Sequence, residues 1–395
     1  MFRQATGRQV LLLATAQALF QTASVLVMTV GALAGARIAP DPLLATAPIA
    51  AMFLGTAVST VPASLWMARA GRRAGFVAGA ALGTLGGLVA ALGIVAQSLL
   101  LLSAGTLLVG AYQGFAQFYR FAASEVADEA YRPRAIALVL GGGIVAALLG
   151  PALGRIGGPL LAPQYVGSFL LLAVVSLLAT GLLLGVRVPG PAAAAQPRDG
   201  RLLIEIVRQP TYLVALFGAA TGYGVMILAM TATPLAMLHH DHGLTDAAFV
   251  IQLHVLGMFL PSFFSGILIT RFGVLRIMLA GVALLAGHVA MVVSGSGLAS
   301  FASALVLLGV GWNCLYVGGT TLLTETHSPS ERGRAQGVND MTIFAVGLAA
   351  SLGAGFMQQR LGWQAMNLLL LPWLAVAAVS IVWLARRRSL VSAAA

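Results

Sequence analysis

Lysine is absent from the 395-residue chain, cysteine occurs once, as Cys314, and only 22 basic and 11 acidic residues are present, 8% of the total. A soluble protein carries about 25% charged residues, so this shortage excludes an ordinary cytosolic enzyme and a disordered chain. A lone cysteine excludes an intrachain disulfide framework. The net charge of +11 is scattered between apolar runs rather than gathered on a soluble domain, which excludes a nucleic-acid partner. P-loop, HExxH and glycine-rich strand-to-helix signatures are all missing, so no enzyme and no cofactor are expected. What is there instead is apolar: 59% of the residues are hydrophobic. The chain reads as an all-α integral membrane protein whose constant partner is the lipid bilayer.

Apolar runs long enough to cross a bilayer as helices are expected at about 10–33, 43–67, 75–95, 99–123, 135–160, 166–186, 211–238, 246–269, 276–294, 299–323, 335–358 and 363–385. Twelve spans place both termini on one side. Eighteen arginines, from Arg3 and Arg8 through Arg69, Arg132 and Arg332 to Arg386–Arg388, fall on that same side, against Arg37 and Arg360 opposite. By the positive-inside rule the terminal side is cytoplasmic, and the expected location is a bacterial inner membrane.

The longest polar connection, 187–210, divides the chain into an N-terminal six-helix half (1–186) and a C-terminal six-helix half (211–395). An echo supports the division: Glu125, Arg132, Arg134 and Ala135 recur 200 positions later as Glu325, Arg332, Arg334 and Ala335. A second echo pairs Arg69 and Gly71 with Arg271 and Gly273. Parallel six-helix repeats of this kind build a large transporter fold that rocks about a central site.

These features resemble the major facilitator superfamily over nearly the whole chain. The loop after span 2, MARAGRRAGF (67–76), resembles its signature loop without the usual aspartate, and ITRFGVLR (269–276) is the degenerate echo. The resemblance implies twelve transmembrane helices in two six-helix pseudo-repeats, alternating access, and a cavity lined by spans 1, 4, 7 and 10. A monomer is the expected state.

Span 7 carries Met226 and Met230, and span 8 carries His254 and Met258, each pair at i, i+4 and near the midplane. Residues so spaced share one helix face. Three thioethers and an imidazole form a soft ligand set suited to Cu(I). Packing is the plain alternative for each methionine, and a helix-to-helix hydrogen bond for His254. The surrounding sequences MTATPLAM (230–237) and QLHVLGMFLPSFFSG (252–266) resemble the CcoA-like branch of the superfamily, which contains copper importers and riboflavin permeases. That resemblance makes Met226, Met230, His254 and Met258 the copper-binding candidates, with copper as cargo.

His239, His240 and His242, between spans 7 and 8, are candidates for metal capture at the entrance, or form a solvated turn. An organic cargo has its own candidates: Gln21 in span 1, Tyr112 and Gln113 in span 4, and Trp312 in span 10, beside a Cys314 that would suit copper. Arg120 with Glu125, the equivalent Glu325, and Asp340 in span 11 are gating or coupling candidates. The leading expectation is copper import; uptake of a small organic solute such as riboflavin is the alternative, and drug or metabolite efflux a third.

Overall fold

The computed structural model describes residues 2–128, 131–188, 201–328 and 331–394. Among them all regular structure is helical, as lipid demands, because only a helix satisfies its own backbone hydrogen bonds without water or an edge strand. Span 1 is Phe2–Ile38, span 2 Ala47–Ala70, span 3 Arg72–Val95, span 4 Leu99–Ala116 with a continuation Tyr119–Val126, span 5 Arg132–Gly157 and span 6 Val166–Leu183. Span 7 is Pro210–His239, span 9 Val274–Ser294 and span 10 Leu298–Leu323. Span 8 is broken into Leu244–Phe259 and Ser262–Phe272, which meet at 43°. The last apolar stretch, Arg332–Leu390, is 59 residues long. At 1.5 Å per residue it would extend about 90 Å, far beyond a bilayer. Gly362, at φ +77°, breaks it into spans 11 and 12. The twelve expected crossings are thus present, and the all-α fold with them.

The span limits move where local chemistry differs from hydropathy. Pro261 lacks the amide that would bond the carbonyl of Gly257, which opens span 8 about two turns after His254. Fully buried Asn313 of span 10 repairs the break: its Nδ2 donates to the Met258 carbonyl at 2.8 Å and to Ser262 Oγ at 2.7 Å. Ser265 Oγ donates to Asn313 Oδ1 at 2.6 Å.

The second sequence echo reappears as backbone geometry. Gly71 and Gly273 start spans 3 and 9 at φ +88°, ψ 155° and φ +86°, ψ 146°. Only glycine occupies that region without strain, so the two hairpins turn alike because each has a glycine at the same step.

Packing within the first six spans joins 1 to 5, 2 to 4, 3 to 4 and 3 to 6; within the last six it joins 9 to 10, 7 to 10, 7 to 11 and 8 to 10. Contacts between the sets run along 5 with 8, 2 with 11 and 1 with 7. Ion pairs stay inside each set: Arg72 holds Glu125 at 2.7 Å and Arg388 holds Glu325 at 2.7 Å.

Of the 187–210 connection, 189–200 lies outside the described residues. Nearer span 7, Leu203–Val207 forms a short helix with Ile206 buried. Just before this helix, Arg201 grips buried Glu331 at the start of span 11. Its backbone N–H and Nε reach Oε1 at 2.8 and 3.0 Å, and a terminal guanidinium nitrogen reaches Oε2 at 2.8 Å. Arg201 and the Ser328 amide hold the Glu331 carboxyl well below the usual carboxylate range. A depressed carboxylate contributes stability above its unfolded value, near 4.3, and loses it as pH falls toward the folded one. Glu331→Gln therefore lowers the melting temperature at pH 7, and the gap from wild type narrows below about pH 4. Thermal melts in detergent at both pH values measure this; a gap independent of pH removes the ion pair from the account.

Candidate functional site

Where the two sets of spans meet at mid-depth, aromatic side chains from several helices converge. Trp312 and Tyr316, one turn apart on span 10, stack with centroids 5.0 Å apart and planes 12° from parallel. Phe259, at the break in span 8, sets its ring edge-on to Trp312 at 6.3 Å. Tyr223 of span 7 lies 6.1 Å from Tyr316 and makes edge contacts with Phe53 of span 2 and Phe344 of span 11. Gln21 of span 1 reaches the same place. A Cβ added to Gly143 of span 5 would lie 2.7 Å from the Phe259 ring and 2.8 Å from Gln21 Oε1, so bare backbone there lets spans 1, 5 and 8 close together.

Two polar atoms of this cluster are unspent. Trp312 Nε1 and Gln21 Oε1 are buried and have no hydrogen-bond partner in the protein, and among the other buried atoms the same holds for Gln113 Oε1 and Arg120 Nε. A buried donor or acceptor left unpaired costs about 1–3 kcal/mol, which makes these atoms natural contacts for a ligand. The charges of Arg120 and Asp340 both reach Tyr316. The assembly offers flat π faces with a few donors and acceptors around them, the chemistry that holds a planar, hydrogen-bonding ring.

Access differs at the two ends. At the arginine-poor end the sets are in contact: Gly355 of span 11 backs onto Thr46 and the Leu43 carbonyl, and Gly158 of span 5 onto Leu244 of span 8. Toward the arginine-rich end a groove of about 640 Å³ runs between spans 1 and 5 and Phe263, from Val145 down to Tyr131 and Arg134. Gly142, next to Gly143 in the chain, lines it.

Several expected site residues sit elsewhere. Tyr112 is buried within the first six spans, edge-on to Phe20 at 5.2 Å and filling the space beside Gly83, so it does not line the aromatic cluster. Cys314 turns its Cβ toward Gly281 of span 9, away from the cluster, because two residues along a helix rotate a side chain by about 200°. Glu125 is taken by Arg72, so Arg120 does not pair with it; the Arg120 guanidinium lies over the Phe121 ring at 4.9 Å. Glu325 pairs with Arg388, which also leaves it outside the cavity.

The methionine and histidine pairs are buried, but their helices do not face each other. Span 10 stands between spans 7 and 8, which touch only slightly. His254 points at span 10, with its Nδ1 2.8 Å from the Leu305 carbonyl. That bond fixes Nδ1 as the donor and leaves Nε2 as an acceptor without a protein partner. Met226, Met230 and Met258 belong to the packed apolar core. The entrance histidines are partly spent on backbone: His239 Nδ1 lies 2.9 Å from the Leu235 carbonyl and His242 Nε2 lies 2.8 Å from that of Ser296, while His240 rests near Phe301. Among the described residues no three His, Cys, Asp or Glu side chains converge on a metal position.

Phe259, Tyr316, Tyr223, Phe53 and Phe344 are not legible from sequence as site residues, because single aromatics in apolar helices look like packing. The i, i+4 spacing of Trp312 and Tyr316 on a span expected to line the cavity is the usable signal.

Comparison with known proteins adds to this geometry. Residues 11–342, and again 214–394, match the sequence model of the Major Facilitator Superfamily. The riboflavin transporter RfnT of Brucella anthropi is 39% identical over 383 residues, covering 96% of each chain. An uncharacterized MFS-type transporter of Bacillus subtilis, YddS, is 31% identical over 350 residues, 84% of this chain and 80% of its own. Among solved structures, a bacterial homolog of the human lysosomal transporter Spinster, in an inward-facing and occupied conformation, has the same fold, with a TM-score of 0.75 over 95% of this chain and 96% of that one at 15% identity.

Proposed function

Since the chain belongs to the major facilitator superfamily, and is therefore a multi-pass membrane transporter rather than a channel or receptor, we propose that it takes up riboflavin, or a closely similar planar ring compound, by alternating access. The observation that carries this reading is the stacked Trp312–Tyr316 pair with its unpaired Trp312 Nε1, in a chain 39% identical to a riboflavin transporter. An isoalloxazine ring is flat, neutral and edged with carbonyls and one N–H. Trp312 Nε1 is suited to donate to a ring carbonyl, and Gln21 Oε1 to accept from the ring N–H or a ribityl hydroxyl. The bacterial inner membrane, with the arginine-rich face cytoplasmic, is the setting that fits uptake. In that orientation the closed arginine-poor end faces outward, and the groove beside Gly143 faces the cytoplasm.

Rocking between the two access states asks little of the interface. The Arg72–Glu125 and Arg388–Glu325 pairs each join residues of one half, and Arg201–Glu331 joins the connection to span 11, so none need break as the halves move. The test is exchange of radiolabelled riboflavin by purified protein in liposomes: labelled riboflavin should enter vesicles preloaded with unlabelled compound, and excess outside riboflavin should block it. Folded protein that moves no more label than empty liposomes overturns the reading.

Copper import, the leading expectation from the methionine and histidine pairs, gives way to this alternative. The pairs lie on helices separated by span 10, and RfnT is by name a riboflavin transporter. Purified protein is expected to bind no stoichiometric Cu(I), and His254→Ala to leave Cu(I) retention at background. One equivalent of Cu(I) bound by wild type and lost in both Met226→Ala and His254→Ala reverses that order.

A further inference from the structure

Of the nine acidic residues among those described, eight lie in connections or in the terminal turn of a span. The exception is Asp340, two turns inside span 11, half-buried, with Asn339 Nδ2 donating to its Oδ1 at 3.1 Å. A carboxylate at that depth is costly unless it is paired, neutralised or part of a transport path. Nothing in the fold requires a charge there: one turn toward the arginine-rich end, Tyr212 ties span 7 to span 11 through the Ala335 carbonyl at 2.9 Å, and one turn the other way Phe344 packs on Tyr223.

The groups around Asp340 are few. Span 7 presents Tyr212 and Tyr223, whose hydroxyls feel its charge, and span 10 presents Tyr316. From the described residues of the first six spans comes a single cation, Arg120, on the continuation of span 4. Span 2, packed on the same helix, has no titratable side chain between Ala47 and Trp66. Span 9 has its titratable histidine far from Asp340, where His288 Nε2 pairs with Asn367 Oδ1 of span 12 at 2.9 Å. Asp340 and Arg120 are thus opposite charges carried by opposite halves, bordering the aromatic cluster from the arginine-rich side. In this state they form no ion pair: Arg120 rests on the Phe121 ring and its Nε is unpaired. Protonating Asp340 abolishes the attraction between the two charges.

We propose that Asp340 is the proton-coupling site of the transporter, taking one proton from the arginine-poor side with each cargo molecule and releasing it at the arginine-rich side, with Arg120 as its counter-charge. The proton comes from bulk water, adds to a carboxylate oxygen, and returns to water when the groove opens. A neutral cargo offers the membrane potential no handle, so uphill uptake needs a coupled ion; a carboxylate that is protonated when the arginine-poor end is open and ionised when the arginine-rich end is open supplies it.

The inference rests on the flavin reading for its cargo, and the experiment separates the two. In liposomes with an inward proton gradient, wild type accumulates riboflavin above the outside concentration. Asp340→Asn reduces that accumulation at least tenfold, while gradient-free riboflavin exchange stays within about threefold of wild type, since exchange needs no net proton movement. Asp340→Glu restores accumulation with a displaced pH optimum. Infrared difference spectra of protein without cargo, taken across pH, show a protonated-carboxyl band in wild type that Asp340→Asn lacks. Full accumulation by Asp340→Asn, an unmoved optimum in Asp340→Glu, or a band that survives in Asp340→Asn overturns the proposal. Absence of any riboflavin exchange by wild type overturns the flavin reading instead, and the infrared band still decides the proton site.

Discussion

Trp312→Ala lowers the apparent affinity for riboflavin by about 10- to 100-fold while the protein still reaches the membrane and runs as a single species in detergent. The substitution removes a stacking face worth about 0.5–1.5 kcal/mol and a donor whose hydrogen bond is worth a further 0.5–1.5 kcal/mol. At 1.4 kcal/mol per tenfold, the sum spans roughly one to two orders of magnitude. Trp312→Phe divides the two contributions. It keeps a six-membered aromatic face against Tyr316 and loses Nε1 with the five-membered ring that carries it, so its defect should be about threefold to tenfold. Riboflavin binding measured by quenching of flavin fluorescence, for both variants at matched protein, gives the ratio directly. If Trp312→Ala binds riboflavin as wild type does, the stacked pair is packing and the cargo lies elsewhere.

Gly110→Leu abolishes folded protein. Spans 2 and 4 approach so closely that a Cβ at Gly110 would collide with the Met52 carbonyl, and its neighbours there are backbone carbons 2.8 and 3.0 Å away. The reciprocal contact sets Gly55 against the Leu107 carbonyl, and Thr56 Oγ1 donates to the Gly110 carbonyl at 3.2 Å across the seam. In lipid there is no hydrophobic drive to hold helices together, so close backbone approach through small residues carries the association. Side chains in the way could rotate; a carbonyl on a helix cannot, so the two helices must separate along their length. Overpacking of a tight interface usually costs about 1–3 kcal/mol, and a clash against rigid backbone belongs at or above the top of that range. Recovery of monodisperse protein after extraction should fall at least tenfold, with Gly141→Leu, where nothing lies within 4 Å, as the tolerated control. Equal recovery of the two variants removes the Gly110 seam from the determinants of folding.

The two predictions test different physics, and the sequence bears on them unequally. The glycines are visible as letters, but Gly110 and Gly141 cannot be told apart without knowing which one faces another helix. Gln21 and Trp312 are legible as polar or amphipathic side chains in the middle of apolar runs, where lipid gives them no partner. The paired carboxylates Glu125 and Glu325 are legible as an echo, whereas their partners are not: Arg72 comes from the start of span 3 and Arg388 from the end of span 12, so the repeat in sequence does not extend to the latch. Tyr112 misleads because adjacent residues on a helix diverge by about 100°, and one of the two must leave the cavity. The methionine and histidine motifs mislead for a related reason. Spacing of i, i+4 guarantees that two side chains share a face of one helix, and says nothing about whether the faces of two helices meet.

Charge scarcity, long apolar runs and the distribution of arginine were sufficient by themselves to determine a twelve-span helical membrane protein, because a bilayer penalises unpaired backbone and buried charge at every residue along the chain. Which helices touch, which polar atoms are left without partners, and which of the cavity candidates share one space were decided only by tertiary structure. Those properties depend on helix rotation and on a few points of close approach, Gly110 against Met52 and Gly143 against Phe259 among them, and rotation leaves no trace in composition. Asp340 belongs to both accounts: the sequence marks it as an acid inside a span, and the fold sets it across the cavity from Arg120, the cation that the other half brings near.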